Sequence, residues 1–237
     1  MVMKLDAVVP FGRSLDEYQK MFSLSETELK LRILGVADGP ASFNAEATKV
    51  GSQVISIDPI YRFSGAEILH RFNQVVDTII AQVKATPDSW VWSYHQSPEG
   101  LRNNRIKAIQ TFLSDYEIGK QQGRYQIGEL PKLSCKDSEY DIALCSHFLF
   151  LYSEHYDFQF HWQSIQEMLR VSQEVRIFPL LTLMLERSPY LDQIICNCSE
   201  MGHTLSIQRV QYGLQKGGNE MLVIRNAART EPSKPLP

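Results

Sequence analysis

The sequence predicts an α/β fold, a seven-stranded and mostly parallel sheet with helices on both faces and a helical insertion between strands 2 and 3. Three observations predict it. Seven short apolar runs, each bounded by turn residues, are separated mainly by stretches of helical period. The first run, a tight turn, a helix and the second run fit into about 30 residues, the length of a βαβ unit, which demands parallel strands and a right-handed crossover. Strands buried by helices on both sides read as continuous rather than alternating apolar runs, as these do.

In chain order, Ser14-Leu-Asp-Glu17 and Ser25-Glu-Thr-Glu28 each match a capping box, so two short helices are expected within 1–31. The first strand is 32–37, and it ends in the turn Asp38-Gly-Pro-Ala41. Helix 43–49 follows, closed by Gly51, and strand 53–57 stops at Asp58-Pro59. From 65 to 123 the pattern is helical. Ile68, Phe72, Val75, Val76, Ile79, Ile80 and Val83 mark one apolar face, and Ile106, Ile109, Gln110 and Leu113 mark the inner side of a second helix over 103–116. Between these helices lie the aromatic cluster Trp90, Trp92, Tyr94 and His95 and the loop 96–100. Strands 123–128, 140–145 and 174–181, helices 160–171 and 190–201, and the closing strands 204–210 and 220–224 complete one domain over 1–229. Residues 230–237 form a polar, proline-rich tail expected to be flexible.

Bulk properties exclude several classes. A net charge of -3 argues against broad nucleic-acid binding, which needs a basic surface. The N-terminus lacks a signal-peptide core, and the most apolar run, 175–185, is broken by Arg176 and Pro179, so a soluble protein without membrane spans is expected. Four cysteines (Cys135, Cys145, Cys196 and Cys198) are too unevenly placed for a disulfide framework and read as reduced core thiols of a cytoplasmic protein. His155, Asp157 and His161 lack metal-ligand spacing, and no metal is expected.

An open parallel sheet binds its ligand beyond the carboxyl ends of its strands. Three features converge there: the small-residue turn from Ala37 to Ala41, with amide donors at the start of the next helix; Asp58, placed to accept from a ribose; and Glu129 beyond the third strand. A nicotinamide dinucleotide would require Gly-x-Gly-x-x-Gly, whereas Gly35 and Gly39 have neither that spacing nor the third glycine.

Ile33-Leu-Gly-Val-Ala-Asp-Gly-Pro-Ala-Ser-Phe43 resembles motif I of the class I S-adenosylmethionine-dependent methyltransferases, a Rossmann-like family. Val54-Ile-Ser-Ile-Asp58 resembles their second motif, and Tyr140-Asp-Ile-Ala-Leu-Cys-Ser-His147 their fourth. More narrowly, the stretches around 38–44, 144–152 and 215–221 resemble a bacterial subgroup of uncharacterised methyltransferase-like proteins. The resemblance implies a closing antiparallel hairpin and S-adenosylmethionine as cofactor. It implies cofactor contacts from Gly35, Ala37, Asp38 and Gly39 in the first turn, ribose binding by Asp58 beside Pro59, and adenine flanked by Glu129 and Leu130. Ser146 and His147 would line the methionine end. His147 and Tyr152 are the candidate catalytic residues, with Tyr94 and His95 behind them.

Two departures stand out: the family usually has an acid at the position of Gly35 and glycines where Ala37 and Ala41 stand. Asp38 is the nearby substitute for the acid. The expected partner is a small-molecule acceptor. The alternative is a non-catalytic S-adenosylmethionine-binding or interaction protein with a degenerate motif I, and the oligomeric state is left open. The aromatic cluster at 90–95 is expected either as a lid over the acceptor or as core. Arg102, Arg105 and Lys107 are expected as a basic patch or an ordinary solvated face, and Arg13 and Tyr18 as residues closing over the cofactor or as packing.

Overall fold

The computed structural model describes residues 8–227. They contain β1 (Arg32–Val36), β2 (Gln53–Ile57), β3 (Tyr125–Gln126), β4 (Tyr140–Ser146), β5 (Ser172–Phe178), β6 (Thr204–Arg209) and β7 (Glu220–Arg225). These strands form one sheet in the order β3-β2-β1-β4-β5-β7-β6. β1 to β5 run parallel, and β7 is antiparallel to both β5 and β6. This is the class I methyltransferase sheet, closing hairpin included. Strand order reverses between β1 and β4, so the switch point lies where their carboxyl ends open.

Alternation along the strands divides the core in two. Ile33, Val54, Ile142, Leu144 and Val223 pack with α1 (Leu15–Phe22) and α2 (Phe43–Lys49). Leu34, Val36, Ala143, Cys145, Val175, Ile177 and Ile224 pack with α5 (Phe158–Val171) and α6 (Leu191–Glu200). Two apolar faces explain why β1, β4 and β7 carry near-continuous apolar runs, whereas β6 at the sheet edge does not. A third core joins α3 (Gly65–Ala85) and α4 (Pro98–Gln121) to Phe11, Tyr61 and Tyr125. α4 packs on α2 and β3, and α3 packs outside it against α4.

Several expectations are corrected. The Ser25–Glu28 cap forms, but only one 3-10 turn, Glu28–Lys30, follows it, because the chain must enter β1 at Arg32. β3 keeps two residues rather than six. It lies at the sheet edge with β2 as its one neighbour, and a short edge strand offers little to pair with. β5 ends at Phe178, before Pro179, which has no N–H for the ladder. α4 starts at Pro98, capped by Ser97, and buries Leu101, Arg105, Ala108, Ile109, Phe112 and Tyr116, while Gln110 is exposed. Cys145 and Cys198 are buried thiols, but Cys196 is exposed. Among the described residues no helix is long and apolar enough to cross a membrane. The segments 1–6 and 230–237 lie outside the described residues.

The α4 stripe was misjudged because an arginine lies inside it. Arg105 and Glu17 are each 1% exposed and pair in bidentate fashion, Nη1 to Oε2 at 3.0 Å and Nη2 to Oε1 at 2.5 Å. Glu17 also closes the capping box of α1, accepting from Ser14 N at 2.9 Å, and receives the Tyr212 hydroxyl at 3.2 Å. Of the three basic residues Arg105 is thus part of the core, while Lys107 is exposed and Arg102 pairs with Asp77, so they form no joint patch. Removing one partner of a buried pair strands the other charge, so Arg105→Met should lower unfolding free energy by about 3–5 kcal/mol. Urea denaturation measures this, and Glu17→Gln in the same background should return part of the loss.

Candidate functional site

The turn after β1 begins as an extension of the sheet, with the Ala37 N–H donating to Ile57 O at 2.9 Å. Ala37 and Gly39 both have positive φ, 55° and 57°. For alanine that conformation costs about 1–2 kcal/mol, a strain the usual glycine would not carry. Between them Asp38 folds back over its own strand. A Cβ on Gly35 would lie 1.9 Å from Asp38 Oδ2, so the Asp38 carboxylate fills the volume a side chain at position 35 would need. That carboxylate accepts from Tyr18 Oη at 2.7 Å and Ser56 Oγ at 2.6 Å. Ser56 is the register partner of Gly35 on β2. Tyr18 stacks on Phe43, the first residue of α2, with ring centroids 4.1 Å apart.

Asp58, just past β2, is gripped by two backbone amides. Its Oδ2 accepts from Gly39 N at 2.8 Å, and its Oδ1 accepts from Ile60 N at 2.7 Å, capping the turn Pro59–Arg62. Tyr61 Oη donates to Gly39 O at 2.7 Å and locks the loop from the other side. Burial pushes both acids up to about 6, with Glu129 adding to the effect on Asp58 and Asp58 adding to that on Asp38. No cation is among the charges acting on either. The amide donors expected to be free at the start of α2 are engaged: Gly39 N–H goes to Asp58, and Phe43 N–H goes to Arg13 O at 3.2 Å.

The predicted residues separate into three places. Ala37, Gly39, Asp58, Pro59, Glu129 and Leu130 line one cleft of about 950 Å³, faced by Val8, Val9 and Pro10 and walled on one side by Arg71, Gln74 and Thr78 of α3. His147 and Tyr152 line a second, smaller cavity of about 80 Å³ with Arg13 and Arg105. Val9 and Ile79 border both spaces and stand between them. Gly35, Asp38 and Ser146 line neither and lie behind the walls. Ser146 is buried, with its Oγ 3.0 Å from His147 Nδ1.

His147 has φ of 50° and anchors its N–H on Phe178 O at 2.6 Å. Burial, then Arg13, Arg105 and His95, holds its imidazole well below the ordinary histidine range, so it is neutral at pH 7. Tyr152 Oη accepts from Val9 N at 3.3 Å. Of the aromatic cluster, Trp90 lines the small cavity and Trp92 packs in the α3–α4 core. Tyr94 donates to Asp16 Oδ2 at 2.6 Å, and His95 lies 2.9 Å from Tyr212 Oη. His161 sets both ring nitrogens against carbonyls, Asp157 O at 2.7 Å and Leu149 O at 2.8 Å, and so serves packing. Among the described residues no group of three or more His, Cys, Asp or Glu is placed to hold a metal ion. Sequence reasoning missed the role of Glu17 and Val9. The buried pairing of Glu17 was foreshadowed only by its capping box, and nothing local marked Val9.

No protein-family model matches the chain. The uncharacterized protein MJ0045 of Methanocaldococcus jannaschii is 35% identical over 224 residues, spanning 94% of this chain and 98% of that one. The chain belongs to the MJ0045 family. Among solved structures, a putative S-adenosyl-L-methionine-dependent methyltransferase from Methanococcus maripaludis aligns with TM-score 0.45 and 10% identity, over 92% of this chain and 84% of that one. The magnesium protoporphyrin IX methyltransferase of Synechocystis PCC 6803 aligns with TM-score 0.42 and 12% identity, over 83% and 70%. For this MJ0045-family chain the strand order itself, not these distant likenesses, establishes the fold.

Two outcomes follow from the buried acids. Gly35→Asp should destabilise the protein by displacing Asp38, and Gly35→Asp with Asp38→Gly should recover much of that loss in a denaturation cycle. An acid held near 6 when folded and 3.8 when unfolded binds its proton more tightly in the folded state. Its contribution is therefore greatest below about pH 4 and is lost as the pH rises through about 6. Asp58→Asn lacks that loss and should gain on the wild type by up to about 3 kcal/mol between about pH 4 and pH 7, read from urea midpoints.

Proposed function

We propose that this protein binds S-adenosylmethionine in the large cleft and transfers its methyl group to a small-molecule acceptor. The observation that carries the reading is Asp58: a carboxylate at the end of β2, pinned by two amides, with no cation paired to it among the described residues, and facing a cleft of about 950 Å³. Each pinned oxygen keeps a second acceptor site, which suits the two adjacent hydroxyls of a ribose. The cleft falls within the range of small-molecule sites, roughly 300–1,000 Å³.

In this reading Asp58 beside Pro59 holds the ribose, while buried Leu130 gives adenine an apolar contact and exposed Glu129 an acceptor at its edge. Ala37 and Gly39 border the nucleoside through backbone alone. The cofactor supplies an electrophilic methyl group on a sulfonium, and the chain supplies alignment and exclusion of water. Asp38 does not touch the cleft. It fixes the turn that does, so the altered motif I keeps its geometry by a different residue. In this reading His147 and Tyr152, which line the smaller cavity beyond Val9, face the acceptor. A histidine held neutral and weakly basic favours an acceptor whose nucleophile needs no strong base. The acidic net charge and the acids at the cleft favour a small molecule over RNA. Four free thiols suit a reducing, cytoplasmic setting.

Calorimetry with S-adenosylhomocysteine tests the cofactor. The wild type should bind it and not NAD, and Asp58→Ala should weaken it at least about tenfold, the worth of one or two charge-assisted bonds. An unchanged dissociation constant refutes the assignment. Transfer of labelled methyl to a metabolite pool tests the reaction.

A further inference from the structure

We propose that the small cavity beneath the N-terminal segment binds an aliphatic carboxylate, with Arg13 as the residue that receives it. The site stands on residues outside the large cleft. Only the choice of molecule that carries the carboxylate rests on the methyl-transfer reading.

The argument is one of charge. Arg13 and Arg105 both line the cavity, and its walls are otherwise mostly apolar: Val9, Phe11, Val83, Leu151, Leu183 and Leu214. Arg105 is fully spent, with both terminal nitrogens on Glu17 and one also on Gly12 O at 2.9 Å. Glu17 is equally spent, since Ser14 and Tyr212 take its remaining acceptor sites. Among the described residues Arg13 has no such partner. It donates from Nη1 to Phe11 O at 2.6 Å, while its Nε is buried with no hydrogen-bond partner. His95 and His147 are held neutral by burial and by the arginines, and the Tyr212 hydroxyl is pushed up and stays protonated. Among the described residues two cations therefore share one carboxylate, and the half-buried Arg13 has no anion of its own beside a mostly apolar space.

A half-buried guanidinium whose Nε is shut off from water without a partner is destabilising, and an anion delivered to it offsets that penalty. One unmatched charge calls for a monoanion. The planar fork of Arg13, with Nε open, matches a carboxylate. A cavity of about 80 Å³ has room for two or three waters or one short carboxylate, and its walls suit a methylene chain. Two molecules could bring that group: the acceptor, or S-adenosylmethionine through its own amino-acid end.

Butyrate and its uncharged isostere butyramide separate charge recognition from shape. The wild type should bind butyrate at least about tenfold more tightly, and Arg13→Gln should erase the difference. Arg13→Lys keeps the charge without the fork and should retain part of the preference, which shows that a loss in Arg13→Gln is not a folding failure. Butyrate that still binds beside saturating S-adenosylhomocysteine assigns the site to the acceptor. Butyrate displaced by S-adenosylhomocysteine but not by 5′-methylthioadenosine, which lacks the amino-acid end, assigns it to the cofactor. Equal binding of butyrate and butyramide, or of neither, with and without S-adenosylhomocysteine, overturns the proposal. Failure of S-adenosylhomocysteine to bind while the butyrate preference persists defeats the methyl-transfer reading and leaves the carboxylate site standing.

Discussion

Because Gly35 carries no side chain, the Asp38 carboxylate can fold back over β1 and meet Ser56 of β2 and Tyr18 of α1 in one place. Three elements distant in sequence thereby share a single buried anion. Tyr18 carries the constraint into α2 through its stack on Phe43, and the turn between Ala37 and Gly39 is left with one conformation. That turn in turn aims the Gly39 amide at Asp58, so the two acids are linked through the peptide bond that follows Asp38. The arrangement is not cheap. Two hydrogen bonds to Asp38 do not cancel its desolvation, which is why its carboxyl sits near 6 rather than below 4. The fold tolerates that cost because the same charge fixes the wall of the cleft.

The two spaces at the end of the sheet differ in the charges that line them. On the cleft side Asp58 and Glu129 stand with Arg62 and Arg71, and the charges that act on the buried acids Asp38 and Asp58 are themselves carboxylates. The cavity side is lined by Arg13 and Arg105, with Glu17 paired to Arg105. Fields from buried charges are weakly screened, so the two arginines act on the groups around them. His147 records this directly, since Arg13 and Arg105 follow burial among the causes that depress its imidazole.

What the sequence discloses and what it hides follows from the range of each interaction. The capping boxes at Ser14 and Ser25, helix α2 to the residue, and the apolar strands are set by neighbours a few positions apart, and local pattern reveals them. The Arg105–Glu17 pair spans 88 positions, so nothing near Arg105 signals that it turns inward, and the helix face was drawn one step round from the true one. β3 was drawn too long because an edge strand is limited by its partner, and the partner is not local. The site shows the same division. Ala37, Gly39, Asp58, Pro59, Glu129 and Leu130 follow strand ends and meet in one cleft, whereas Asp38 does its work behind the wall because of an atom that Gly35 lacks.

The boundary between the two spaces is as firmly built as the sheet, although it consists of a short run near the start of the described chain. Gly12 lies so close to the first turn that a Cβ there would be 2.0 Å from Pro40 O, and only glycine permits the contact. The Arg13 carbonyl receives the first amide of α2, which ties the segment to the same turn that Asp38 fixes. Val9 donates its N–H to Tyr152, and Phe11 packs against Phe72 of α3 with centroids 5.6 Å apart. These contacts join the segment to α2, α3 and the loop after β4, with Val9 itself held by Tyr152. Residues 8–13 are therefore a structural part of the site: Val9 borders both spaces, and the segment around it ties the wall between them to the rest of the fold.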